Sequence, residues 1–92
     1  MFWGKEEKIP SRLKQQLLSR IRPILAKHLK VGEEKIIPEA KLVEELGIDS
    51  LEAVEIIMEL EEAFDIEIMD ADAEKMKIVD EVLEYLAKRI KQ

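Results

Sequence analysis

Three serines, a single histidine and no cysteine make up the side chains that could form covalent bonds or shuttle protons near neutral pH. Without cysteine there is no disulfide, no thiolate metal site and no thiol nucleophile. His28 has no second imidazole to complete a metal site, so it reads as a surface or boundary residue. Ser50 stands apart from Ser11 and Ser19 because of its setting, Gly47-Ile48-Asp49-Ser50-Leu51, at the head of a stretch free of Gly and Pro that runs to Phe64. A hydroxyl at the start of a helix is exposed, and the unpaired N–H groups and positive dipole end there favour a phosphate attached to it. No His, Lys or Arg lies between Lys41 and Lys75, so no base is at hand in the chain to activate the hydroxyl. Ser50 is therefore a poor catalytic nucleophile and a reasonable acceptor for modification by another enzyme. The competing role for Asp49 or Ser50 is simply to cap the helix.

The helix that follows carries the second signal. At about 100° per residue, Ala53, Ile57, Leu60 and Phe64 share one sector, which predicts the core face. Leu51, Glu55, Met58 and Glu62 share the opposite stripe, with Glu52 and Glu59 beside it. Two apolar side chains among carboxylates fit an interface in which apolar anchors dock and charges steer, so the matching partner surface is basic with a small apolar dent. The alternative is a solvated face with scattered apolar residues.

The remaining elements follow from composition and period. Ninety-two residues make one domain, and 47% hydrophobic content supports one modest core. Threonine is absent while Glu, Lys, Leu, Ile and Ala dominate, which predicts an all-α fold. Met1 to Pro10 lacks periodicity and reads as loose. From Ser11, a predicted N-cap, Leu13, Leu17, Ile21, Ile24 or Leu25, and His28 or Leu29 mark a helical stripe, with Gly32 as its stop. Pro23 falls within it, so either two helices abut near Arg22 or one helix is kinked. A long connection from Val31 to Leu46 holds a short helical turn around Leu42 to Leu46. Asp65 to Asp70 forms an exit loop, Asp70 caps a short helix through Met76, and Val79 to Ile90 is a last helix with Val82, Leu83, Leu86 and Ile90 inward.

Charge is divided unevenly. Residues 1–41 have net charge +5 and residues 42–92 have net charge −11, within a total of −6. Such an acidic surface argues against nucleic acid and for basic protein patches. No apolar run reaches the roughly 18 residues of a membrane span, and Glu6 and Glu7 interrupt any secretory stretch behind Phe2 and Trp3, which predicts a cytoplasmic protein. An enzyme is disfavoured by the lack of Cys, the single His and the absence of a Gly-rich phosphate loop. Asp70, Asp72, Glu74 and Glu81 fall in an EF-hand-like register, but Lys75 occupies the position that needs Gly and Ile78 a ligand position.

Leu46-Gly47-Ile48-Asp49-Ser50-Leu51, then Val54 to Glu62, Phe64-Asp65-Ile66-Glu67-Ile68 and Ala73-Glu74-Lys75, together resemble the acyl carrier proteins of type II fatty acid synthesis, from about Leu18 to Leu86. The resemblance implies a four-helix bundle, here with an N-terminal helical extension: residues 1–17 as a basic, partly helical extension and 18–92 as the carrier domain. It implies that Ser50 accepts 4'-phosphopantetheine from coenzyme A through a magnesium-dependent phosphopantetheinyl transferase, and that Asp49 is the acidic neighbour of the modified serine. Leu51, Glu55, Met58 and Glu62 match the family's recognition helix, the stripe that the helical wheel gives independently. Acyl intermediates would ride as thioesters on the arm, for fatty acid or related lipid or polyketide synthesis, sheltered by residues such as Ala53, Ile57 and Leu60. The implied partners are the transferase and acyl-chain synthesis and transfer enzymes with basic docking patches, and a shuttle that exposes its recognition helix is expected to be a monomer. Against the family pattern stand the basic residues before position 18, Pro23 in the first helix, Met69 in place of a common proline and Ala63 in place of a frequent acid. None of these departures touches Ser50, so they leave the carrier role intact and point to a specialised carrier outside primary fatty acid synthesis as one alternative; the rival reading of the acidic helix is an unmodified interaction module.

Overall fold

The computed structural model describes residues 9–90, so the expectations for Phe2, Trp3 and Gly4 lie outside the described residues. Four α-helices follow one another within them: α1 (Ser11–His28), α2 (Ser50–Phe64), α3 (Asp70–Glu74) and α4 (Val79–Ile90), with a 3₁₀ turn at Glu33–Lys35. The fold is an all-α bundle in which α1 packs against both α2 and α4.

α1 is one continuous helix with an exposed Pro23 inside it. A proline forfeits one intrahelical hydrogen bond and crowds the preceding turn. The helix persists because Leu17, Leu18, Ile21 and Leu25 are buried, three of them before the proline and one shortly after it. Each well-buried aliphatic side chain contributes roughly 2 kcal/mol. α1 crosses positions 17 and 18 without a break, with both leucines in the core. Its start differs from the expected cap. Pro10 is the N-cap residue and Ser11 the first helical one, with no side-chain cap, and Lys14 N–H bonds to the Pro10 carbonyl at 3.1 Å. Its end comes earlier than Gly32, at His28, where Leu29 turns extended and is buried.

The core sector of α2 is centred differently from the wheel. Ile56, Leu60 and Phe64 are the buried residues, whereas Ala53 and Ile57 are half-buried. α2 packs on α1, and Ala53, Ile56, Ile57 and Leu60 all border one cavity, so tertiary packing rather than the helical period decides the centre of the buried face. On α4, Val79, Val82, Leu83, Leu86 and Ala87 are buried and Ile90 is half-buried. Lys14 joins α1 to the start of α4 through Asp80 at 2.9 Å and Glu84 at 3.3 Å.

The long connection after α1 is tied down rather than free. Lys41 and Ile78 form an isolated antiparallel bridge, with Leu42 N–H to the Lys77 carbonyl at 2.9 Å and Val79 N–H to the Ala40 carbonyl at 3.0 Å. Arg22 donates to the Ile36 carbonyl at 3.0 Å, and Ile36 is fully buried. Residues 42–46 form the short helical turn expected from sequence, with Glu45 N–H bonding to the Lys41 carbonyl at 3.0 Å and Gly47 N–H to the Val43 carbonyl at 3.1 Å. α3 starts at Asp70, with Met69 as its N-cap residue, and ends at Glu74, two residues short of Met76.

Leu83 is fully buried at the heart of this core. Leu83→Ala should destabilise the fold by about 2–5 kcal/mol, the lost transfer energy plus the cavity left behind. A lowered urea midpoint with little change in slope would report that loss.

Candidate functional site

The approach to Ser50 is built by the turn before it. Gly47 takes a φ of +73°, a conformation costly for any residue with a Cβ, and its N–H bonds to the Val43 carbonyl at 3.1 Å. Ile48 N–H then bonds to the Leu42 carbonyl at 3.1 Å, which folds residues 42–48 into a compact cup that delivers Asp49 to the start of α2.

Asp49 and Ser50 divide the work at that start. Asp49 is the N-cap residue, its Oδ1 accepting from Glu52 N–H at 2.8 Å, while Glu52 Oε1 accepts from Asp49 N–H at 3.2 Å. This reciprocal capping box satisfies the cap through Asp49 alone. Ser50 is the first helical residue, exposed, and its hydroxyl takes part in no hydrogen bond among the described residues. The first-turn N–H groups of Ser50 and Leu51 have no intrahelical acceptor, as at any helix start. An uncommitted hydroxyl thus sits at the positive end of a 15-residue helix. Asp49→Ala should cost about 1 kcal/mol through the lost cap, measurable by thermal or urea unfolding.

The outer face of α2 carries the predicted stripe. Leu51 is 67% exposed and Met58 61%, and Glu55 and Glu62 are exposed between and beyond them. Val54 is 54% exposed on the same face, a member that sequence reasoning passed over although its three- and four-residue spacing to Leu51 and Met58 was readable. Glu52 and Glu59 flank the stripe half-buried, Glu52 in the capping box. Glu59 pairs with Lys27 and lies 2.7 Å from His28 Nε2. Lys27 first, and then His28, hold the Glu59 carboxyl below the usual carboxylate range. His28 is thus a boundary residue, as its isolation in the sequence implies, but one engaged by α2.

At the far end of α2, Arg20 donates to the Ala63 carbonyl at 3.1 Å and lies 4.1 Å from the centre of the Phe64 ring. Asp65 ends the helix in the left-handed conformation, and Glu61 accepts from Ile68 N–H at 2.8 Å to hold the exit loop.

Beside α2 lies a largely apolar cavity of about 400 Å³. Ile48, Ala53, Ile57, Leu60, Met76 and Tyr85 contribute to its lining. Its volume falls within the range of small-molecule sites. Ile48 and Ala53 bracket Ser50 in the chain, so the cavity wall and the exposed hydroxyl share one stretch of backbone. The Tyr85 ring is fixed there, its hydroxyl donating to Asp72 at 2.9 Å and accepting from Arg89 at 2.7 Å. Burial first, and then the Asp72 bond, push the Tyr85 phenol above its usual range. Asp72, which sequence placed in an EF-hand-like register, is engaged by this network, and no group of three metal-ligating side chains occurs among the described residues.

Residues 19–86 match the family described as the phosphopantetheine attachment site, a span that includes Ser50. The chain is 44% identical over 75 residues to an acyl carrier protein of Thermosynechococcus vestitus, covering 82% of this chain and 93% of that protein. It is 52% identical over 69 residues to one of Syntrophobacter fumaroxidans, covering 75% and 85% respectively. A third, from Desulforapulum autotrophicum, is 51% identical over 72 residues, covering 77% and 94%.

Proposed function

This chain belongs to the acyl carrier protein family, whose prosthetic group is 4'-phosphopantetheine, and from that premise we propose that Ser50 is the attachment residue. The observation that supports it most directly is the capping box: Asp49 takes the cap, so the Ser50 hydroxyl is exposed and uncommitted. The fit to a phosphodiester rests on that hydroxyl and on the first-turn N–H groups of Ser50 and Leu51 at the positive end of α2. With no basic side chain between Lys41 and Lys75, the transferase must remove the hydroxyl proton as the Ser50 oxygen bonds to the pantetheine-bearing phosphorus of coenzyme A, the pyrophosphate bond breaks and adenosine 3',5'-bisphosphate leaves. Once attached, the arm supplies a terminal thiol on which an acyl group is held as a thioester. Asp49 keeps the helix start ordered and anchors the attachment point.

On this reading the chain is a carrier subunit without chemistry of its own, serving fatty acid or related lipid synthesis as a cytoplasmic monomer. Among the described residues no helix is long and apolar enough to cross a membrane. Residues 18–92 are the carrier domain, and residues 11–17 add to it through the shared helix α1. The apolar cavity beside α2 shelters the acyl chain, with Ala53, Ile57 and Leu60 against it. Leu51, Val54 and Met58, with Glu55 and Glu62, form the surface that the transferase and the acyl-handling enzymes dock on. Intact mass before and after incubation with coenzyme A and a phosphopantetheinyl transferase tests the proposal. One addition per chain is expected, and folded protein that takes up none would overturn it.

A further inference from the structure

The acidic face of α2 is less acidic in the folded protein than its sequence suggests. Of the four carboxylates on or beside the outer stripe, Glu52 is committed to the capping box and Glu59 to Lys27 and His28. His28 also reaches the stripe itself, its Nδ1 lying 3.5 Å from Glu55 Oε1. The Glu59 side chain retains 28% of its exposure and His28 18%, whereas Glu55 keeps 51%. Lys27 remains 61% exposed, so it presents a positive charge at the edge of the docking face. Glu62 is exposed and has no ion pair among the described residues.

We infer that Lys27 and His28, at the end of α1, are specificity-determining residues for docking, because they occupy Glu59 and partly hold Glu55, and because Lys27 repels cations from that flank. The inference rests on the reading of the Leu51 to Glu62 face as the docking surface. The face then offers Glu55 and Glu62, seven residues and roughly 10 Å apart along the helix, around the apolar Leu51, Val54 and Met58. The partner that fits is a protein surface with two cationic groups at that spacing flanking an apolar dent. A partner whose cations extend toward α1 meets Lys27 and is disfavoured, since a like charge at a rim penalises the wrong partner.

The test is the rate of phosphopantetheine transfer by a phosphopantetheinyl transferase at low ionic strength, with circular dichroism as the folding control. Lys27→Met should raise kcat/KM several-fold, roughly three- to tenfold, through KM with kcat unchanged, and added salt should erase most of the gain. Lys27→Met with His28→Gln should gain at least as much. Lys27→Met with Glu59→Gln removes both charges of the pair and should return to within about twofold of the parent. Arg12→Gln removes the same charge from the exposed far end of α1 and should also stay within about twofold. A purely structural role for Lys27 would not produce a gain. Folded Lys27→Met no faster than the parent, or an equal gain from Arg12→Gln, would overturn the inference. If Glu55→Lys with Glu62→Lys also leaves the rate unchanged, the docking surface itself is misplaced. If that variant slows transfer while Lys27→Met does nothing, only the role of Lys27 and His28 falls.

Discussion

Ser50→Ala is expected to abolish phosphopantetheine uptake while leaving the fold as stable as the parent to within about 0.5 kcal/mol. The two halves of that expectation have separate causes. Stability should hold because the Ser50 hydroxyl makes no hydrogen bond among the described residues, the cap belongs to Asp49, and alanine is a good helix former at an exposed first position. Uptake should vanish because no other hydroxyl in the chain has the same setting. Ser11 and Ser19 are exposed on α1, where Arg12 and Arg20 are their neighbours and the exposed apolar stripe of α2 is absent. The readout is unusually clean, since the chain contains no cysteine. A thiol-reactive dye should register no thiol before transfer, one per chain after transfer to the parent and none for Ser50→Ala. Full labelling of the variant would move the attachment site elsewhere.

Reversing charge at Glu55 and Glu62 to Lys should slow transfer by about an order of magnitude or more at low salt. Both side chains are exposed in the free protein and neither supports the core, so the helical signal should persist. Glu55 contributes at most a 3.5 Å approach to His28, and an exposed pair of that kind is worth less than about 1 kcal/mol. Encounter, by contrast, depends on the summed field, and two reversals change the charge of the face by four units. Raising ionic strength toward 0.5 M shortens the Debye length to roughly half its value near 0.1 M, so parent and variant rates should converge. Equal rates at low salt for folded parent and variant would mean that the partner approaches by another surface, and the acidic stripe would serve solubility alone.

These two experiments separate attachment from recognition. Loss of uptake in Ser50→Ala speaks to the reacting atom, whereas slowing by Glu55→Lys with Glu62→Lys speaks to encounter and should be recovered with more enzyme or substrate. On the proposed docking surface, truncating Leu51, Val54 or Met58 should act mainly on how long the complex lasts.

What the linear chain determines by itself is whatever depends on near neighbours. Val79–Ile90 has the bounds expected from its three- and four-residue apolar spacing, and α2 begins where Asp49 and Ser50 stand at the edge of a breaker-free run. The exposed Leu51, Glu55, Met58 and Glu62 stripe follows from helical period alone, because residues seven apart share a face whatever surrounds them. The placing of Ser50 at a helix head is equally local. Tertiary structure decided what depends on partners distant in sequence. The cap is the exception, a local contest between adjacent side chains that the period does not settle: Asp49 takes it through Glu52 N–H, which leaves the Ser50 hydroxyl uncommitted. The wheel put Ala53 and Ile57 at the core of α2 and omitted Ile56, because a period fixes the spacing of a buried face but only the contact with α1 and the neighbouring cavity fix its centre. The bridge of Lys41 to Ile78 joins segments 37 residues apart. Lys27 and His28 meet Glu59 from 32 and 31 residues away, a pairing with no local signature, because it depends on how α1 is laid across α2 rather than on the residues beside either partner.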